Sequence, residues 1–355
     1  MKVLFFVDDF KGGAGNVVQI IGLELKQRGY EVTICCVGGT TPGRHDLDGI
    51  EVIRITRRLS GKINYLSYIS QIRRVVQRVS PDCIISFLFG ISALVACAIK
   101  KGKYRFIVSE RSDPRALKPH GIFTYLTKRS YDMASNIVIL FRAFDCIGDG
   151  QYKSKCKVIS NPVVTPTTRR NRISNPDLIS FITIANDTPP KGLDLLLYAF
   201  SIAKALNPSI RLRLYGSNDG THLQGIIDEL GLIDSVELMG YTNDIYSVLN
   251  NADVYVLPSR HEGFPNSLCE AMSTGMACIA FECHEGMEEL IEHNVNGILV
   301  EKENIEELAK EMNRISFDMK LMVELGFNAR TAMDKYSVKR VADMWEELIH
   351  NKQRV

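Results

Sequence analysis

Ala252-Asp-Val-Tyr-Val-Leu-Pro-Ser-Arg-His-Glu-Gly-Phe-Pro-Asn-Ser-Leu-Cys-Glu-Ala-Met272 is the stretch on which the fold turns. Its first part, Ala252 to Pro258, is apolar and β-branched, as a buried parallel strand requires. The part from Asn266 to Thr274, closed by Gly275, carries the composition and stop signal of a helix. Glu262 then falls on the strand-to-helix turn and Glu270 inside the helix, with Gly263 permitting a tight reversal and Phe264 and Pro265 completing it. The first amides of a helix lack intrahelical partners and carry the positive end of its dipole. The segment Gly263 to Ser267 is thus a place for an anion such as a diphosphate, and the two flanking acids suit hydroxyl groups.

Outward from this stretch, strand and helix signals alternate in both directions, the pattern of doubly wound parallel sheets. Val3 to Val7, Glu31 to Val37, Cys83 to Phe87 and Arg105 to Val108 read as strands in the first half, with a helix from about Asn16 to Arg28. In the second half the strands are Leu178 to Ala185, Arg211 to Tyr215, Val236 to Met239, Val254 to Leu257 and Ala277 to Phe281, with helices near 192–206, 221–231 and 243–251. Thr165 to Pro176 is polar and flanked by prolines, hence a linker. The expected organisation is an N-terminal Rossmann-like domain over 1–165, a second over 166–337, and a tail over 338–355 whose helix, with Trp345, packs back on the first. Ligands of open α/β sheets sit outside the carboxyl ends of the strands, so two such domains are expected to face each other across a cleft.

The 355 residues are 45% hydrophobic and 24% charged, an ordinary globular composition of about two domains. Nine cysteines are scattered without a Cys-x-x-Cys pair, so neither a disulfide framework nor a zinc site is signalled, and a reducing cytoplasm is the expected setting. The apolar start Met1 to Val7 is cut short by Asp8-Asp9 and reads as a strand, not a signal peptide. Cys83 to Ile99 is uncharged but too short to span a bilayer, which needs about 20 residues. The net charge of +2 hides an imbalance: residues 1–165 hold 25 Lys and Arg against 13 Asp and Glu, and the remainder 18 against 28. A basic half suits an anionic ligand or an anionic membrane on the inner face of the cytoplasmic membrane. Tyr65 to Val79, with apolar residues at 65, 69, 72, 76 and 79 and basic ones at 73, 74 and 78, reads as an amphipathic helix with a cationic face, by default a solvated surface helix and alternatively a contact for such a membrane. Lys118 to Arg129 mixes aromatics and cations in the same way. Nucleic acid is not expected, since no recognition motif or aromatic platform accompanies the charge.

The spacing of Glu262 and Glu270 resembles the Glu-x7-Glu signature of the retaining family 4 glycosyltransferases, α/β enzymes of the GT-B fold. Gly275-Met-Ala-Cys-Ile-Ala280, Gly286-Met-Glu-Glu289 and Asn296-Gly297-Ile-Leu-Val300 follow in that family's order, and Lys191-Gly192 and Leu214-Tyr-Gly216 precede it as expected. The resemblance implies that Glu262 meets the donor sugar, that Glu270 meets the ribose hydroxyls, and that Lys191 meets the diphosphate. Gly263, Phe264, Pro265, Asn266, Ser267, Gly216 and Tyr241 are the further donor-side candidates. Asn186 stands where the family carries an arginine, leaving Arg260 and Arg111 as cations available to compensate. No metal is expected, because Lys191 and helix amides take its place and no Asp-x-Asp pair lies near; no other cofactor is implied.

On the acceptor or phosphate side the candidates are Gly12 and Gly13, which keep part of a family motif after the first strand. The glycines of Lys11 to Asn16 do not complete a dinucleotide fingerprint, since Val18 replaces its last small residue. Glu110 and Arg111 lie in Ser109-Glu-Arg-Ser-Asp-Pro114, similar to a run in family members that build bacterial surface polysaccharides and lipid-linked oligosaccharides. Arg111 could clamp a phosphate, and Asp113 could cap a helix. The expectation is transfer of a hexose or N-acetylhexosamine, UDP-linked, to a glycan or lipid-linked glycan with retention. A GT-B sugar nucleotide epimerase or phosphorylase, or a catalytically inert sugar nucleotide-binding protein, fits the same signatures.

Overall fold

The computed structural model describes residues 1–10, 12–39, 43, 45–56, 63–113, 115, 121–145, 147, 150–166, 178–216 and 221–351. Lys11, His120 and most of the expected linker, 167–177, lie outside them. The chain separates into two compact units, Met1–Pro162 with Val338–Val355, and Val163–Ser337.

The first unit is built from β1 (Lys2–Val7), α1 (Gly12–Gln27), β2 (Glu31–Val37), β3 (Glu51–Ile55), α2 (Ile63–Val79), β4 (Cys83–Phe87), α3 (Phe89–Ala98), β5 (Arg105–Ser109), α4 (Ile122–Met133), β6 (Asn136–Ile139) and β7 (Cys156–Val158). Its strands form one parallel sheet in the order β3-β2-β1-β4-β5-β6-β7. The central strands are apolar on both faces because helices cover both, and Val3 to Val7 are wholly buried. Helix α1 starts at Gly12, four residues before the expected Asn16. The reason is a close approach: a Cβ on Gly15 would stand 2.4 Å from the Asp9 carbonyl oxygen, so glycine lets the helix begin directly under the strand end. On α2 the buried apolar stripe is Ile72, Val75 and Val76, whereas Tyr65, expected on that stripe, is exposed.

The second unit holds β8 (Ser180–Ile184), α5 (Leu193–Leu206), β9 (Arg211–Tyr215), α6 (Thr221–Glu229), β10 (Val236–Gly240), α7 (Ile245–Asn250), β11 (Val254–Leu257), α8 (Asn266–Thr274), β12 (Ala277–Phe281), β13 (Ile298–Val300), α9 (Ile305–Phe317) and α10 (Met319–Met333). Its parallel sheet runs β10-β9-β8-β11-β12-β13. Both units are therefore Rossmann-like. The order reverses at β8 and β11, the place where such sheets hold ligands at their carboxyl ends.

The last helix, α11 (Val338–His350), belongs to the first unit. Its indole, Trp345, is wholly buried and stacks on Phe87 with ring centres 6.0 Å apart. At the rim, Arg28 of α1's C-terminal turn donates to Asp343 (2.6 Å), to Glu346 (2.8 Å) and to the Lys339 carbonyl (3.0 Å), while the Tyr30 hydroxyl donates to Glu346 at 2.8 Å. The ions at this rim are partly exposed and add little; the buried indole supplies most of the attachment.

Candidate active site

In the second unit the chain leaves β8 through Ala185-Asn186-Asp187 and makes a single 3-10 turn, Pro189–Lys191. Gly192 then takes φ +64, and a Cβ there would meet the Pro258 carbonyl oxygen at 2.0 Å. Only glycine allows this crossing. The crossing is stitched by the amides of Arg260 and His261, which donate to the Pro190 carbonyl at 2.8 and 3.2 Å. The turn after β8 and the turn after β11 are thus one structure at the sheet's switch point.

The consequence is an ion pair between residues far apart in sequence. The Lys191 Nζ donates to Glu262 Oε1 at 2.7 Å, and the Ser259 hydroxyl donates to the same oxygen at 2.7 Å. Glu262 and Ser259 are buried, while the Lys191 side chain keeps 31% of its surface exposed. Two donors on one oxygen offset part of the cost of burying that side chain. Beyond β12, burial and the Glu262 charge push the Cys283 thiol up to about 12, so it stays protonated.

Arg260, a candidate to replace the missing arginine, is already committed. It grips Asp194 with two nitrogens (2.8 and 2.6 Å), Glu303 with Nε (2.6 Å) and the Pro189 carbonyl (2.8 Å). Its bonds to Asp194 raise its pKa further, and the same bonds hold Asp194 below the usual carboxylate range. Arg260 therefore fastens the two turns to α5. Asn186 is exposed after β8, its carbonyl accepting from the Thr188 amide at 2.9 Å.

Past Glu262, Gly263 is half-buried and Phe264 is buried edge-on to Tyr336, with ring centres 6.1 Å apart. Pro265 offers no side-chain cap at the start of α8, and the Asn266 amide donates to the Phe264 carbonyl at 2.9 Å. Ser267 accepts a hydrogen bond of 2.7 Å from the hydroxyl of buried Tyr255 on β11, which fixes the helix start against the strand. Asn266 and Glu270 stand one turn apart, both half-buried. On the other side of β8, Gly216 ends β9 at φ +104; a Cβ there would lie 2.8 Å from the Ala185 carbonyl oxygen, and its amide donates to the Gly240 carbonyl at 2.8 Å. Tyr241 follows directly, with its ring exposed. Lys191 and Glu262 are thus brought into contact, and Asn186, Gly216 and Tyr241 line the carboxyl ends of β8, β9 and β10. Ser259, Tyr255 and Cys283 complete the site and carry no signal of their own in the sequence.

The remaining candidates belong to the first unit. Gly12 and Gly13 open α1, with Gly12 at φ +83. Glu110 and Arg111 follow β5 and are both buried. Glu110 Oε1 accepts from the Tyr131 hydroxyl at 2.9 Å, and burial pushes its carboxyl up to about 7 against the pull of Tyr131, Arg111 and the Phe89 amide. Arg111 donates to Asn161 Oδ1 at 2.9 Å and to the Ile159 carbonyl at 3.2 Å, with its guanidinium over the rings of Phe87 and Trp345. Asp113 accepts from the backbone amide of Arg115 at 2.9 Å and from its guanidinium at 2.8 Å, a local turn.

Known proteins share this organisation. The family described as "Glycosyl transferases group 1" matches residues 164–332, and "Glycosyl transferase 4-like" matches residues 2–140. An uncharacterized glycosyltransferase of Haemophilus influenzae is 25% identical over 360 residues, covering 98% of this chain and 99% of that one. A poly(ribitol-phosphate) alpha-N-acetylglucosaminyltransferase of Staphylococcus aureus is 28% identical over 170 residues, which span 47% of this chain and 34% of that protein. HepE of Anabaena, in complex with UDP and glucose, superimposes with a TM-score of 0.80 at 21% identity over 98% of both chains. Two parallel Rossmann-like sheets, family matches over both halves and a likeness in fold over the full length lead to one conclusion: the chain belongs to the GT-B glycosyltransferases and resembles those of bacterial polysaccharide synthesis.

Proposed function

We propose that this chain is a retaining glycosyltransferase of surface polysaccharide synthesis. It moves a hexose or N-acetylhexosamine from a UDP-linked sugar to a hydroxyl of a glycan or lipid-linked glycan. The observation that carries the proposal is the contact of Lys191 and Ser259 with one oxygen of Glu262 at the switch point, beside the start of α8. The name of the Staphylococcus aureus relative supports an N-acetylhexosamine, and the UDP complex of HepE supports the nucleotide.

A diphosphate at the start of α8 competes with Glu262 for the Lys191 ammonium, a charge-assisted bond contributing about 1.5–3 kcal/mol. Each helix-terminus interaction adds about 0.3–1 kcal/mol. Both grow as the bond from the anomeric carbon to the phosphate oxygen breaks and its electron pair moves to the diphosphate. The leaving group is already stable, so no protonated acid is needed and a metal is dispensable. The acceptor oxygen bonds to the anomeric carbon from the face the diphosphate leaves, and the acceptor proton passes to the departing phosphate oxygen. Glu262 positions the sugar and stabilises the positive charge at that carbon.

The test is UDP release from a panel of UDP-sugars, with and without glycan acceptors, in the presence of a chelator. Acceptor-dependent release with the anomeric configuration kept is the expected result. An inverted product refutes the mechanism. A second proposal, an inert sugar nucleotide-binding protein, draws on Asn186 in place of the family arginine and on the full engagement of Arg260. Donor binding without release under every condition would establish it instead.

A further inference from the structure

Two helices of the first unit present large apolar side chains to solvent at their first turns. On α2, Tyr65 is 43% and Leu66 69% exposed; on α4, Ile122 is 70% and Tyr125 68% exposed. These are not scattered singly. Helices α2 and α4 both pack against α3, and the Tyr65 and Phe123 rings meet edge to face with centres 5.1 Å apart, joining the two exposed turns into one patch. Contiguous apolar surface of this kind marks a docking face.

Charge identifies what docks there. Ile122, Tyr125 and Arg129 recur at helical spacing on one face of α4, with Lys128 beside them, and Leu66 and Arg73 do so on α2, with Arg74 beside them; all these cations are exposed. Each helix thus has an apolar tip and a cationic continuation, about 6 Å further along the axis from Tyr125 to Arg129. That is the depth order of an anionic leaflet, acyl chains inside and phosphates outside. Tyrosine suits the interface between them. No described helix is long and apolar enough to cross a membrane, so the attachment lies on the surface.

We infer that the first turns of α2 and α4 insert into an anionic lipid leaflet, with Arg73, Arg74, Lys128 and Arg129 on its phosphates. Both helices follow strands of a parallel sheet and run back against them, so their first turns lie at the sheet's carboxyl end. Glu110 and Arg111 follow β5 at that same end. If the acceptor is lipid-linked, which rests on the function proposed above, the patch brings the leaflet to the end of this unit that carries Glu110 and Arg111.

Vesicle binding needs no sugar transfer, so it is tested separately from that activity. The full chain is sedimented with vesicles of phosphatidylglycerol and phosphatidylethanolamine, and with phosphatidylcholine vesicles. Binding to the anionic vesicles should be stronger by about tenfold or more, and should weaken as salt is raised. Leu66→Glu with Tyr125→Glu, and separately Lys128→Glu with Arg129→Glu, should each remove about tenfold of that binding while leaving the thermal unfolding midpoint unchanged. Equal binding to both vesicle types overturns the inference. So does wild-type binding by both variants, and so does a dimer that the apolar variant alone dissociates with lipid binding intact.

Discussion

Glu262 and Glu110 each follow a central parallel strand, each is buried, and each has an arginine near it in sequence, yet the two carboxyls are held in opposite ways. Glu262 receives Lys191 and Ser259 on one oxygen, both at 2.7 Å, while its neighbour Arg260 turns away to Asp194 and Glu303. Glu110 receives the Tyr131 hydroxyl, while Arg111 turns to Asn161, the Ile159 carbonyl and the faces of Phe87 and Trp345. Among the described residues, Arg111 Nε and Nη2 have no acceptor. The first arrangement sets a partly exposed ammonium against a buried carboxylate, the contact for which the proposed diphosphate competes. The second ties the last helix and the Ile159 to Asn161 segment to the sheet, and leaves its carboxyl about half protonated at pH 7.

The widest separation between them is expected in turnover. On the proposed mechanism, Glu262→Gln keeps the shape but removes the charge assigned to the anomeric carbon, and kcat should fall by about 10²–10³-fold, the magnitude of losing one preorganised electrostatic group. Lys191→Met should follow with a loss of about 10–100-fold, matching one charge-assisted bond. Glu262→Gln should unfold at a urea concentration close to that of the parent, and Lys191→Met, which takes the ion-pair partner from a buried carboxylate, at a lower one. Glu110→Gln should leave turnover on a soluble acceptor within a few-fold. Steady-state kinetics on the three variants decides the matter: equal losses at 110 and 262 would break the distinction.

Stability separates the two carboxyls along a different axis. The Glu110 carboxyl is raised from its ordinary 4.5 to about 7 by burial, so between these values the folded chain binds a proton that the unfolded chain has released. The contribution is fully present below about pH 4.5 and is lost as pH rises through about 7, a swing on the order of 3 kcal/mol. Glu110→Gln cannot titrate. Its stability relative to the parent should therefore rise between pH 5 and pH 8, measured by urea unfolding at each. A constant difference would mean that Tyr131 and Arg111 keep the carboxyl charged throughout.

How far these features were readable in advance depends on what each required. The buried strands β1, β2, β4, β8 and β11 announce themselves as apolar runs, because a sheet covered on both faces demands them at every position. β3 does not, since Glu51 and Arg54 break the run, and β7 is three residues with a lysine in the middle. The start of α1 was hidden because glycines argue against a helix unless their neighbours are known, and Gly15 is needed by the Asp9 carbonyl. Tyr65 fits the period of the buried stripe but lies in a first turn that the stripe does not reach. At the site, Glu262, Glu270 and Lys191 stood out through the spacing of a family pattern. The contact of Lys191 with Glu262 did not, because it depends on Gly192 passing under the Pro258 carbonyl and on the Pro190 carbonyl holding two amides of the other turn.

Ser259 gave no signal at all, a small polar residue in a turn, and it supplies the finest test of how Glu262 is held. Its buried hydroxyl spends its proton on the oxygen that Lys191 also reaches. In the proposed reaction a diphosphate draws Lys191 away, and Ser259 then holds the carboxylate toward the sugar. Ser259→Ala should therefore lower kcat by about 5–10-fold, one net hydrogen bond of about 1 kcal/mol or slightly more, with KM for the donor nearly unchanged. Ser259→Thr, which keeps the hydroxyl, should recover most of the loss. A merely structural serine would instead shift the unfolding midpoint and leave kcat alone, and in that case Glu262 would be oriented by Lys191 only.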